Sequence, residues 1–194
     1  MAVTHKHKRF PEKLSFLLNN PIRRHFASPE QLIANFQINS GDVVVDFGCG
    51  PGYFTIPLAR IARKVIAVDV STRMLEKAAA YARKNGVTVE LLRSDGTQID
   101  LPDGTVDVIV LIHVFHEIED RAKALLEFVR LLKHSGRVLI VEKTHGGLLA
   151  SRVGPPVVNS SEILSEITNA GLNDVGTVVY GNDSIIQAMK SLTS

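Results

Sequence analysis

One stretch constrains this chain more than any other: Val43-Val44-Val45-Asp46-Phe47-Gly48-Cys49-Gly50-Pro51-Gly52-Tyr53-Phe54. A short β-branched run with few polar residues reads as a strand buried on both faces, as in a parallel sheet. The run stops in three glycines at alternate positions, and an apolar helical pattern resumes from Phe54. Strand, glycine loop and helix form the first βα unit of a nucleotide-binding α/β fold. Glycines there accept positive φ and let a ligand approach the backbone with no Cβ in the way. The free N–H groups of such a loop favour anionic groups.

Glycine spacing narrows the ligand. A Gly-x-Gly-x-x-Gly dinucleotide pattern fails in both registers, because the last position is Tyr53 counted from Gly48 and Thr55 counted from Gly50. A P-loop needs a Gly-Lys-Ser/Thr ending, which is absent. The pattern Asp46-x-Gly48-x-Gly50-x-Gly52 resembles the first motif of class I S-adenosylmethionine-dependent methyltransferases, in which an acidic residue closes strand one.

Composition excludes little and agrees with a soluble globular domain. The 194 residues fit a single domain, with residues 1–40 as an N-terminal cap and 41–194 as the cofactor-binding core. A formal charge of +2 gives no global sign of nucleic-acid binding, and none is expected as a partner. One cysteine excludes an internal disulfide framework and fits a reducing compartment. With no apolar run of about 18 residues and no signal-peptide core, the expectation is a cytoplasmic protein without integral membrane association. A monomer or homodimer is expected.

Before the glycine loop, His5-Lys6-His7-Lys8-Arg9 is a basic start that reads as a solvated tail. A short helix is expected over Lys13 to Asn19. Ser28-Pro29-Glu30-Gln31 is a helix start with Ser as N-cap and Gln at the capping-box position. That helix carries Leu32, Ile33 and Phe36 and is expected to end towards Asn39-Ser40-Gly41. Arg23, Arg24 and His25 read as solvated surface.

After the loop, a helix through Leu58, Ile61 and Ala62 leads to a second buried strand, Val65-Ile66-Ala67-Val68-Asp69. Asp69 ends it about 20 residues past the loop, where an acid accepts both ribose hydroxyls of an adenosine. Ser71 caps the next helix, which holds Met74, Leu75, Ala78, Ala79 and Ala82 until Asn85-Gly86. Strand three is Val89 to Leu92, followed by Ser94-Asp95-Gly96, where Asp95 suits an acceptor for the adenine amino group. Strand four, Val106 to Leu111, runs into Ile112-His113-Val114-Phe115-His116-Glu117-Ile118. Asp120 caps a helix with the stripe Ala122, Leu125, Leu126, Val129 and Leu132, ended by Ser135-Gly136. Strand five is Val138 to Glu142. A capped helix from Ser160 or Ser161 closes at Ala170-Gly171, and Val175 to Tyr180 and Ser184 to Met189 form a hairpin about Gly181-Asn182-Asp183.

Five pieces at proper intervals extend the resemblance over Gly41 to Lys190: VVDFGCGPG, VIAVDVS with Met74, LLRSDG, LPDGTVDVIV with HVFHEIED, and GRVLIVE. They are similar to the small-molecule branch of class I methyltransferases, the type 11 or ubiquinone/menaquinone-methyltransferase-like group. The resemblance implies a Rossmann-like α/β sheet of order 3-2-1-4-5-7-6 with helices on both faces. It implies S-adenosylmethionine as cofactor, S-adenosylhomocysteine as product, and a small-molecule methyl acceptor. The implied cofactor residues are Asp46, Gly48, Cys49, Gly50, Pro51, Gly52, Tyr53, Asp69, Val70, Met74, Ser94, Asp95, Gly96, Ile112 and His113, with Val70 and Met74 bordering the adenine. Such enzymes work largely by alignment and exclusion of water. Where a base is used, His116 or His113 is the candidate, since imidazole titrates near neutral pH.

His113-x-x-His116-Glu117 matches neither His-Glu-x-x-His nor its inverted form, so no metal is expected. Cys49 lies inside the glycine loop, which speaks against a cysteine nucleophile. No Asn/Asp-Pro-Pro-aromatic motif follows strand four, which disfavours exocyclic base amines as acceptors. Two alternatives stand beside a small-molecule methyltransferase. One is a protein or RNA methyltransferase using a basic face around Arg23, Arg24 and Arg121. The other is a non-enzymatic S-adenosylmethionine-binding protein. The acceptor is set by the N-terminal segment and by Gly146 to Asn159.

Overall fold

A computed structural model describes residues 28–145 and 157–190. The expectations on His5 to Arg9, Lys13 to Asn19, Arg23 to His25 and most of Gly146 to Asn159 lie outside the described residues.

In chain order the elements are α1 (Pro29–Ala34), β1 (Val43–Phe47), α2 (Thr55–Ala59), β2 (Lys64–Asp69), α3 (Thr72–Lys84) and β3 (Glu90–Arg93). Then follow β4 (Val106–Ile112), a 3-10 turn (Phe115–Glu117), α4 (Arg121–Leu131), β5 (Leu132–Lys143), α5 (Ser160–Asn169), β6 (Leu172–Tyr180) and β7 (Asp183–Lys190). The seven strands form one sheet of order β3-β2-β1-β4-β5-β7-β6, as the family resemblance implies. β1 lies between β2 and β4, parallel to both, with Val45 opposite Ile66 on one side and Ile109 on the other. β7 runs antiparallel to β5 and β6, with Ile140 opposite Ile186.

Alternation along each strand splits the core between two faces. Val45, Phe47, Ile109 and Leu111 pack with Leu125 and Phe128 of α4 and Ile163 and Ile167 of α5. Val44, Val65, Val108 and Val110 pack on the other face with Leu58 of α2 and with Leu32, Ile33 and Phe36. Each such side chain, fully buried, contributes about 1.5–3 kcal/mol. The segment from Ser28 is therefore sewn into the sheet. Arg137 donates to the carbonyls of Phe36 and Gln37 at 2.9 and 2.8 Å, tying it to β5.

Several boundaries differ from the sequence reading, and the helix read through Ile61 and Ala62 ends at Ala59. α1 ends at Ala34, where Asn35 caps it and Gln37 takes a φ of 51°, so Phe36 packs from irregular chain. α4 stops at Leu131, short of Ser135-Gly136, because the buried Leu132 already pairs with Val106 of β4. The chain then bulges: Val106 faces Leu132 but Val108 faces Arg137, with Lys133 turned out to meet both oxygens of Asp107 at 2.8 Å. β6 starts at Leu172, its one buried residue, and is an edge strand bulged between Asn173 and Gly176. Lacking a buried face, it shows no alternation in sequence.

Candidate active site

The carboxyl ends of β1 and β4 meet at the point where strand order reverses, the usual ligand position of an open α/β sheet. The loop leaving β1 turns left-handed at Gly48, Gly50 and Gly52, with φ of 69°, 54° and 90°. Packing forbids a Cβ at the first of these and crowds one at the third. A Cβ on Gly48 would lie 2.3 Å from Cγ2 of Val114, so the loop after β4 rests directly on the glycine loop. A Cβ on Gly52 would crowd the Ala78 backbone of α3 at 3.2 Å. A Cβ on Gly50 would meet nothing within 4 Å, which leaves open space on that side of the loop.

The loop is held by β2. The Gly48 and Cys49 N–H groups donate to the Val68 carbonyl at 2.8 and 3.0 Å. The Asp69 carboxylate accepts from Gly50 N–H at one oxygen and from Ser71 N–H at the other, each at 2.9 Å. Asp69 thus ties the middle of the glycine loop to the start of α3. Ser71 also caps α3, accepting from Met74 N–H at 3.4 Å, and Met74 is buried behind the loop. Val70, between Asp69 and Ser71, is exposed.

Asp46 is buried beneath the loop and accepts from the Thr55 hydroxyl at 2.5 Å. Burial raises its pKa to about 6, against the lowering effect of the Thr55 bond and with a further upward push from the Asp69 charge. Burial likewise pushes the Cys49 thiol well up, with Asp46 and Asp69 adding to it, so Cys49 stays a protonated, unreactive side chain. Tyr53 is buried and packs edge-on to Phe54, 5.0 Å between ring centres.

After β3, Ser94 is buried with its hydroxyl on the Gln98 carbonyl at 2.6 Å. Asp95 is exposed and accepts from the Thr97 N–H and hydroxyl at 3.0 and 2.8 Å. Gly96 is required by packing, since a Cβ would lie 2.7 Å from the Phe47 ring.

After Ile112, His113 takes a left-handed φ of 55°, a conformation rare for any residue with a Cβ. Its N–H still bonds the Val141 carbonyl at 2.8 Å, its Nε2 lies 3.4 Å from an Asp183 oxygen, and its Nδ1 is buried without a partner. His116 sits in the 3-10 turn with Nδ1 at 3.1 and 2.9 Å from the two oxygens of Glu142, which also accepts the His116 main-chain N–H at 3.2 Å.

Glu142 and Asp183 were legible only as the last residue of strand five and a turn residue. The available signal was a lone carboxylate closing the apolar run Val138 to Val141, the same pattern that marks Asp46 and Asp69. Arg121, counted on for a basic face, is committed elsewhere: it pairs with Glu166 at 2.9 Å and lies over the Phe115 ring, 5.2 Å from its centre. An open cavity of about 540 Å³ beside that pair, bordered by Ile118, Leu126 and Ala170, lies against α4 and α5 and not at the glycine loop.

This sheet order, with an antiparallel seventh strand and an acid-closed glycine loop at the switch point, defines the class I S-adenosylmethionine-dependent methyltransferases, and the chain belongs to that family. A family model described as a methyltransferase domain matches residues 45–140. A crystal structure of an S-adenosylmethionine-dependent methyltransferase from Aquifex aeolicus is 30% identical, superposes with a TM-score of 0.84, and covers 94% of this chain and 100% of that one. A probable S-adenosylmethionine-dependent methyltransferase of Mycobacterium tuberculosis is 32% identical over 138 residues, 68% of this chain and 49% of its own. The ubiquinone biosynthesis O-methyltransferase of Rickettsia conorii is 33% identical over 113 residues, 56% of this chain and 39% of its own. The chain thus spans about half the length, or less, of these curated relatives.

Proposed function

We propose that this protein transfers a methyl group from S-adenosylmethionine to a small-molecule acceptor. The observation that carries the reading is the glycine loop at the switch point, open above Gly50 and pinned by Asp69. The residues present fit the cofactor: open space over the loop and an orphaned buried nitrogen on His113. Asp69 would take the ribose hydroxyls, Val70 and Met74 would border the adenine, and Asp95 would accept from its amino group. Asp46 and the loop residues Gly48 to Tyr53 would hold the amino-acid end, with Ile112 and His113 on the side of the reactive methyl.

When bound, the cofactor supplies an electrophilic methyl on a sulfonium, and the C–S electron pair leaves with sulfur. The chain's contribution is to align the acceptor and exclude water. The name of the Rickettsia relative supports a small acceptor, as does the engagement of Arg121 with Glu166 and Phe115.

Calorimetry with S-adenosylmethionine, S-adenosylhomocysteine and NAD tests the cofactor. Binding of the sulfur nucleosides with no NAD binding is expected, and the reverse would overturn the reading. Production of S-adenosylhomocysteine with a small-metabolite extract, and not with RNA or protein fractions, tests the acceptor class.

A further inference from the structure

We infer that Glu142 is the positioning residue that makes His116 a proton acceptor, so that the methyl acceptor is a hydroxyl or amine that must lose a proton. The inference rests on the methyltransferase reading above and names its substrate class.

Glu142 is fully buried at the end of β5, an expensive place for a carboxylate unless its bonds are satisfied. Its Oε1 takes the His116 main-chain N–H, and both oxygens face His116 Nδ1. An ionised carboxylate only accepts, so Nδ1 is the nitrogen that carries the proton. In neutral imidazole the lone pair then belongs to Nε2. That nitrogen lies 3.9 Å from Glu117, beyond hydrogen-bond range, and the side chain keeps 11% of its surface exposed. Isolated imidazole has no partner to fix this choice. A buried carboxylate behind the ring fixes it, and it also stabilises the imidazolium formed on proton uptake. The turn carrying His116 is held against the glycine loop by the contact of Val114 with Gly48.

The acceptor's O or N lone pair forms the bond to the methyl carbon while the C–S pair departs with sulfur. The acceptor's proton passes to His116 Nε2 and later to solvent. Thioethers, tertiary amines and carboxylates have no proton to shed and would gain nothing from this arrangement.

Long-range ¹H–¹⁵N spectra of the full chain at pH 8, with S-adenosylhomocysteine present, report the tautomer. His116 protonated at Nδ1 is expected in the wild type and in Glu142→Gln, whose amide oxygen still accepts, and Nδ1 protonation should be lost in Glu142→Leu. His116 protonated at Nε2 in the wild type overturns the inference. A panel of phenols, alcohols, primary amines, thioethers, tertiary amines and carboxylates is then assayed for S-adenosylhomocysteine formation. Turnover with hydroxyl or amine acceptors is expected, reduced about a hundredfold or more in kcat by His116→Ala, with KM and cofactor affinity nearly kept. Undiminished turnover in that variant overturns it. So does a wild type that binds the cofactor yet methylates none of the hydroxyl or amine acceptors. Failure to bind the cofactor at all overturns the methyltransferase reading instead, and the tautomer then decides the His116–Glu142 pairing alone.

Discussion

Replacing Asp46 by Asn is expected to stabilise the fold at neutral pH and to weaken the site. Asp46 is buried under the glycine loop, and burial is the main reason its pKa rises from 3.8 to about 6. A carboxyl that holds its proton more tightly in the folded state costs stability once it must ionise. Below pH 3.8 both states are protonated and the cost is absent. It grows between pH 3.8 and about 6, and above that it is constant. A difference of about two units, at 1.36 kcal/mol each, makes the plateau about 3 kcal/mol. Asn keeps the shape, and its amide oxygen can still accept from Thr55. Urea denaturation should therefore show Asp46→Asn more stable by about 3 kcal/mol at pH 7.5 and by under about 1 kcal/mol at pH 4. A difference that does not change with pH, or a variant less stable than wild type at pH 7.5, would refute the burial argument. Binding of S-adenosylmethionine should fall by about tenfold or more, since a bond to a charged group contributes about 1.5–3 kcal/mol.

Two further outcomes test the loop. Gly48→Ala should lose about 2–4 kcal/mol in thermal or urea unfolding, from left-handed strain plus the overlap with Val114, whereas Gly50→Ala should show only the strain, about 1–2 kcal/mol. Val114→Ala should recover part of the Gly48→Ala loss, and equal losses at the two glycines would refute the packing role. Asp69→Ala should weaken cofactor binding by about ten- to a hundredfold by calorimetry and, by freeing the Gly50 and Ser71 N–H groups, lower stability by about 1.5–3 kcal/mol. An unchanged dissociation constant in a folded variant would remove Asp69 from the site.

The strands and the glycine loop were legible because the signals are local and redundant, whereas the sheet order followed from the family resemblance. Val43 to Phe47, Lys64 to Asp69 and Val106 to Ile112 are apolar runs closed by turn chemistry, spaced by helices with caps at Ser71 and Asp120. Boundaries failed where a long-range contact outweighs local propensity. Leu132 continues the stripe of α4, yet it pairs with Val106 because β4 offers a buried neighbour. Leu172 carries no strand signal until β7 lies beside it. In the candidate site, Asp46, Asp69 and His116 could be named because each ends or follows a recognisable strand. Their partners could not: Thr55 and Glu142 are chosen by the fold, the second from 26 residues away. The Gly48–Val114 contact is equally invisible in one dimension, although it explains why the first glycine of the motif admits no side chain.

The distribution of buried polar groups argues that the carboxyl edge of the sheet is shaped for something other than stability. Among the described residues, the buried polar or charged ones are Asp46, Thr55, Ser94, His116, Glu127, Glu142, Lys143 and Ser184. Only Glu127 lies away from that edge, in α4, where Arg130 holds it in two hydrogen bonds and keeps its carboxyl below the usual range. All the others end or follow a parallel strand, or begin the antiparallel β7, whose start lies at the same edge. At the amino-terminal ends the charged pair Asp107–Lys133 remains partly exposed, where desolvation is small. A sheet selected for stability alone would fill positions such as Asp46 and Glu142 with apolar side chains of similar size. Keeping carboxylates there, bonded to the start of the helix after the glycine loop or to the turn after β4, trades stability for fixed geometry at one edge. That edge is where the glycine loop lies open.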